Sequence, residues 1–171
     1  RGTRPAAPPD RSRFASRGPR AGRGGAGAES RTARGREAML DLAGRVMTLQ
    51  QLRRNGNANF RSACAKAFKK SLLDQYGIRF STSLFFGEDL LFHTEYLLRA
   101  ESYVYVPKRV YYYDVHSDSS SHRFSLTFLE NHARLLEELR QALEDRGALP
   151  LLETEFSCYV LSMITSELVG V

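Results

Sequence analysis

Apolar residues recur at helical spacing in five stretches of the chain. Met39, Leu40, Leu42, Ala43 and Val46 predict a helix over 37–46, and ordered chain is expected to begin near residue 36. Residues 60–76 carry Ala63, Cys64, Ala67, Phe68, Leu72 and Leu73 on the same period, with Gly77 placed to close that helix as a C-cap. A third helix is expected over 88–100, stacking Leu90, Leu91, Tyr96, Leu97 and Leu98 toward a core. Residues 125–147 predict a long amphipathic helix, capped by Ser125 and striped by Leu126, Leu129, His132, Leu135, Leu136, Leu139 and Leu143. Pro150 ends the following connection, and residues 151–171 are again apolar at helical spacing.

The period changes to two after residue 102. Runs 103–106 and 110–113 are β-branched and aromatic, separated by Pro107-Lys108-Arg109, and read as adjacent strands with a turn between them. Alternation puts Tyr111 and Tyr113 on one face and Val110 and Tyr112 on the other. A polar stretch with Asn55-Gly56-Asn57 reads as a turn, and Ile78-Arg79-Phe80 as a short extended piece entering a loop over 81–87. The pattern as a whole predicts an α/β chain, a short sheet with several helices.

Composition divides the chain unevenly. The first forty residues hold ten arginines against three acids, Asp10, Glu29 and Glu37, so the formal net charge of +6 belongs to the leading segment and the remainder is close to neutral. Residues 1–35 are rich in Arg, Gly, Ala and Pro, with Phe14 as the sole large apolar side chain, and are expected to be disordered. Three readings of that segment stand: an arm gripping nucleic-acid phosphates, a linker without function, or GC-rich DNA translated out of frame or upstream of the true start. The chain begins with Arg, which suits the last.

Cys64 and Cys158 form no CxxC or finger spacing, so neither a disulfide framework nor a zinc site is indicated, and both are expected as reduced, buried thiols. No uncharged apolar run of about 18 residues exists to span a membrane, and no secretory signal pattern opens the chain.

The candidate chemistry centres on Phe85-Phe86-Gly87-Glu88-Asp89, two adjacent carboxylates in the first turn of the third helix. A carboxylate at the positive end of a helix, beside rings that limit its hydration, can serve as general base to a hydroxyl nucleophile; acidic residues also favour helix N-termini with no chemical role. His93, four residues after Asp89, shares its face and is expected solvated or at the core edge. Lys66, Lys69 and Lys70 form either a solvated basic face or a phosphate or sugar contact. The tyrosines of 103–113 either pack with their hydroxyls at the edge or stack on a sugar ring. The loop 114–122, with His116 and His122, supplies a metal ligand, sugar contacts or only a polar connection.

Three pieces in fixed order carry a resemblance. Ala65-Lys66-Ala67-Phe68-Lys69-Lys70-Ser71-Leu72-Leu73, then Gly77-Ile78-Arg79-Phe80 with Gly87-Glu88-Asp89-Leu90-Leu91-Phe92, then Val110-Tyr111-Tyr112-Tyr113 with His116 and Ser119-Ser120-Ser121 resemble the C-terminal half of the family 2 glycosyltransferases, bacterial enzymes that build capsular, exopolysaccharide or lipopolysaccharide chains. The resemblance implies a partial GT-A (nucleotide-diphospho-sugar transferase) fold, with residues 36–122 as the acceptor-side half and 123–171 as C-terminal helices. It implies an inverting transfer from a nucleotide-sugar donor to a sugar or lipid-linked acceptor, in the cytoplasm or at the inner face of the membrane.

Carried over, Asp89 takes the proton from the acceptor hydroxyl and Glu88 orients acceptor or base. Lys66, Tyr113 and Ser119 match substrate-binding positions, and His116 matches a metal or phosphate contact. The complete enzyme uses Mg²⁺ or Mn²⁺ to neutralise the leaving diphosphate. Family members open with a nucleotide-binding strand and loop followed by an Asp-x-Asp motif; this chain has neither, and 1–35 stand in that place. It is therefore expected to be a fragment, inactive alone. The expectation from another class is a nucleic-acid-binding protein acting through its basic arm.

Overall fold

Two strands separated by some seventy residues of sequence form the sheet of the computed structural model, which describes residues 30–48, 61–106 and 126–169. Strand β1 (Arg31–Arg34) pairs antiparallel with β2 (Ser102–Tyr105), Ala33 opposite Tyr103 and Thr32 opposite Val104. The Gly35 N–H donates to Glu101 O at 2.9 Å, extending the ladder, and Ala33 and Tyr103 pack on the core. Ordered chain thus begins by residue 30, which corrects the expected disorder for 30–35: a short polar strand is held because its backbone finds a partner. The expected partner of β2, residues 110–113, lies outside the described residues, as do residues 1–29 and the Asn55-Gly56-Asn57 turn.

Helices α1 (Arg36–Met47), α2 (Lys70–Tyr76), α3 (Glu88–Leu97), α4 (Leu126–Glu144) and α5 (Glu153–Val169), with a 3-10 turn at Leu149–Leu151, complete the described chain. The fold is mixed α/β, mostly helical around one small sheet. Helix α1 packs against α3 and α5, and α4 against the same two. Met39, Val46, Leu90, Leu97, Leu135, Leu139, Leu143 and Tyr159 belong to one core cluster, so the segments on either side of residue 122 share their apolar interior. The trailing helices cover helices rather than the sheet.

Helix α1 follows its apolar spacing, burying Met39, Ala43, Val46 and Met47. Gly44 faces α5, where a Cβ would meet Glu155 Cγ at 3.0 Å and Leu152 Cδ2 at 3.3 Å. The carbonyls left open at the end of α1 are taken by Arg61, whose Nε donates to Val46 O at 3.0 Å and Nη2 to Met47 O at 2.6 Å. Its guanidinium also lies 4.9 Å from the ring centre of Tyr159 on α5. Burial pulls the Arg61 pKa below its usual range, and Tyr159 opposes that pull.

The helix expected over 60–76 is shorter. Ser62 Oγ accepts the Cys64 N–H at 3.1 Å, a local bond that competes with helix, and Ala65 sits at φ 57°, so helix begins only at Lys70. Gly77 does close it, at φ 63°, with Ile78 N–H reaching back to Leu73 O at 2.9 Å. Helix α3 departs from a one-sided stripe: residues 90 to 94 are all buried, because α1 and α4 cover one side and Phe68 and Phe80 the other. It ends at Leu97, short of the expected residue 100. In α4 Leu135, Leu139 and Leu143 are buried as expected, whereas Leu129 is exposed. Both cysteines are free, but Cys64 is half-buried and Cys158 exposed, which corrects the expected burial: Cys158 lies on the outer face of α5 with Leu161. Among the described residues no helix is long and apolar enough to cross a membrane.

Two predictions follow from this packing. Arg61→Ala should cost about 2–3 kcal/mol, because it removes two charged hydrogen bonds and a ring contact together, and urea denaturation measures it. The second concerns Glu95 on α3. Burial pushes its carboxyl up, Arg99 opposes the shift, and Glu138 and Asp145 add to it. The folded pKa therefore exceeds the unfolded one, so the favourable contribution is complete below the usual 4.5 and is lost as pH rises through the folded value. Glu95→Gln is expected to raise the urea midpoint relative to wild type at pH 7 and to lose that advantage at pH 4; an advantage independent of pH would exclude the carboxyl as its source.

Candidate functional site

Glu88 and Asp89 occupy the first turn of α3, each half-buried, with no side-chain cap on the preceding Gly87. What aims them is the loop before the helix. Asn131 of α4, 2% exposed, accepts the Phe85 N–H at 2.9 Å through Oδ1 and donates through Nδ2 to Phe86 O at 2.8 Å. One turn on, Arg134 Nη1 donates to Ser83 O at 2.9 Å, and Glu138 Oε1 accepts from Ser83 Oγ at 2.5 Å. Positions 131, 134 and 138 lie along one face of α4, which thus holds the whole entry into α3.

Gly87 takes φ 84°, and a Cβ there would stand 2.3 Å from Leu135 Cδ2, a fully buried side chain. Both the left-handed backbone and the close approach require glycine at this position.

Lys66 lies in the segment before α2 and is half-buried. Its ammonium donates to Ser62 O, directly after Ala65 in its left-handed conformation. Burial pulls the Lys66 pKa down, and the Asp89 carboxylate, followed by Cys64, resists the shift. The half-buried ammonium thus lies in the field of a half-buried carboxylate of the first turn of α3. Lys69 and Lys70 behave differently: both are exposed, and Lys70 pairs with Asp74. The basic set is a solvated face at two of its three positions.

Two aromatic clusters lie along α3 and the loop that enters it. Phe68 meets Phe92 at 5.1 Å and Tyr96 at 4.9 Å edge-on, and Phe80 stacks on Phe92 at 4.1 Å. His93 lies within this cluster, 5.9 Å edge-on from Phe68 and 1% exposed, which corrects the expectation of a solvated or core-edge residue: Phe68 closes the outer side of α3 over it. In the second cluster Phe86 lies 5.0 Å from Phe128 and 5.7 Å from His132, and Phe85 5.9 Å from Phe128.

Of the residues singled out in the sequence, Glu88 and Asp89 share the first turn of α3, and Lys66 lies within electrostatic reach of Asp89. Tyr113, His116 and Ser119 lie outside the described residues. Among the described residues no group of three or more His, Cys, Asp or Glu side chains could hold a metal ion. A separate depression of about 220 Å³, lined by Arg36, Met39, Leu97, Arg99, Glu101 and Arg146 among others, includes neither carboxylate in its walls.

Sequence reasoning missed Asn131. The available signal was its position four residues before Leu135, on the apolar stripe, where a buried amide must find both a donor and an acceptor. Comparison with protein-family models, curated proteins and solved structures gives no match.

Gly87→Ala should destabilise by about 2–4 kcal/mol, since backbone strain and overpacking against Leu135 add. Gly77→Ala provides the control: it shares a positive φ but has nothing within 4 Å of the added carbon, so it should cost about 1 kcal/mol. Equal urea midpoints for the two variants would exclude the contact with Leu135 as the constraint.

Proposed function

We propose that this chain is the acceptor-side part of an inverting family 2 glycosyltransferase of GT-A fold, with Asp89 as its general base. The observation that carries the reading is the fixed mouth of α3, where Asn131 holds the entering backbone and Glu88 and Asp89 stand half-buried in the first turn. Partial exposure leaves the carboxylate reachable by an incoming hydroxyl.

In this reading Asp89 removes the proton from an acceptor hydroxyl as its oxygen attacks the anomeric carbon of a nucleotide-diphospho-sugar. The bond to the diphosphate breaks with its electron pair leaving on the phosphate oxygen, and attack from the opposite face inverts the anomeric centre. Glu88 holds the acceptor or steadies Asp89. Tyr113, Ser119 and His116 stand as the substrate and diphosphate contacts implied by the family. The acceptor is a sugar or a lipid-linked sugar at the cytoplasmic side of a membrane, and the product belongs to cell-surface polysaccharide. Donor binding falls to a nucleotide-binding half that these residues do not supply, so the chain alone is expected to be inactive.

The test uses an enzyme completed with a nucleotide-binding half. Asp89→Asn should lower sugar transfer by about 10²–10⁴-fold, with donor affinity and urea midpoint unchanged. Transfer at the wild-type rate would remove Asp89 from the mechanism.

A further inference from the structure

Phe85 and Phe86 are 58% and 37% exposed although Asn131 holds the backbone beneath them. Mobile loops often display apolar side chains incidentally. Here Asn131 fixes the backbone donor of one residue and the acceptor of the other, and Phe128 and His132 back the rings, with 4.5 Å between their own centres. The outward ring faces are therefore preorganised, and they stand two to four residues from Glu88 and Asp89.

Charge decides what such a surface can take. At its border Glu88, Asp89 and Glu138 are set against Arg134 and Lys66, so the surface carries no excess of positive charge to draw phosphate-bearing partners such as anionic lipid headgroups or nucleic acid. A neutral polyol suits both parts, because carboxylates accept hydrogen bonds from hydroxyls while an aromatic ring covers apolar C–H surface. A pyranose has that two-sided chemistry: axial C–H groups on a ring face and hydroxyls around the rim.

We propose that Phe85 and Phe86, backed by Phe128, form a platform on which a pyranose unit of the acceptor stacks, its rim hydroxyls turned toward Glu88 and Asp89. This assignment rests on the acceptor-side reading above and names the residues that select the acceptor. Phe85 is the principal contact, being the more exposed ring. Asn131 acts as a positioning residue, because it touches only the backbone that carries the rings.

The experiment reads sugar binding without donor. Methyl pyranosides and short oligosaccharides are titrated into the full chain and followed by saturation-transfer NMR. Binding should saturate the axial C–H protons. Phe85→Ala should weaken it about 10-fold, and Phe85→Tyr should restore it, since the stacking face returns. The alanine variant keeps the backbone bond to Asn131, and an unchanged urea midpoint confirms its fold.

Absence of binding by every sugar tested, or binding indifferent to Phe85→Ala, overturns the platform. Phe85-dependent sedimentation with vesicles of anionic phospholipid also overturns it, in favour of a membrane contact. The two proposals fail separately. Phe85-dependent sugar binding together with wild-type transfer by Asp89→Asn sinks the catalytic assignment alone; loss of transfer in Asp89→Asn without Phe85-dependent binding sinks the platform alone.

Discussion

The seating of residues 85–87 on helix α4 is the constraint from which the rest of the described structure follows. Asn131 closes both polar groups of its amide onto adjacent backbone positions, and Gly87 lies against Leu135 so closely that no side chain could intervene. These two contacts lie one helical turn apart on α4 and fix both the position and the direction of the chain as it enters α3. A buried amide with both partners satisfied is a strong specifier, because any slip leaves a donor and an acceptor unpaired at once. Once its entry is fixed, α3 can be covered on all sides, and residues 90 to 94 are buried in succession. Such a helix gains little from amphipathicity; its orientation comes from its ends.

The opposite end of the domain uses a different device for the same problem. Helix α1 begins where Gly35 hands its N–H to Glu101, tying the strand pair to the helix start. It finishes under Arg61, which takes two carbonyls of the last turn and lies over the Tyr159 ring. Between these ends Gly44 lets α5 approach. Polar groups thus register the helices at their termini while Met39, Val46, Leu139 and Leu143 fill the space between them. The division has an energetic reason: apolar burial is non-directional, so register must come from groups that are costly to leave unpaired.

Legibility in the sequence follows the range of the interactions concerned. Helices α1, α3, α4 and α5 were readable because apolar spacing is local, and so was the Gly77 cap, where a glycine ends a periodic run. Strand β1 was not, since Arg31 to Arg34 has no apolar alternation and owes its conformation to a partner seventy residues away. The segment before Lys70 looked helical by spacing, yet a Ser62 hydroxyl and a left-handed Ala65 turn it elsewhere. The position of the carboxylate pair in the first turn of α3 was legible because helix spacing and Gly87 mark where that helix starts. Asn131 was hidden because its role depends on which loop meets α4. His93 was hidden because the ring that buries it comes from outside its own helix.

Ala65 bears on how Lys66 is held. A left-handed conformation at a residue with a side chain costs on the order of 1–2 kcal/mol and persists only where the surroundings enforce it. Here the next residue carries an ammonium that burial disfavours, bonded to Ser62 O and in the field of Asp89. A lysine serving stability alone would lie at lower free energy with its head in water, as Lys69 and Lys70 do. Strain in the backbone and desolvation of the charge thus fall on neighbouring residues. The seating of α3 does not require either cost, since Asn131 and Leu135 already secure the entry to that helix.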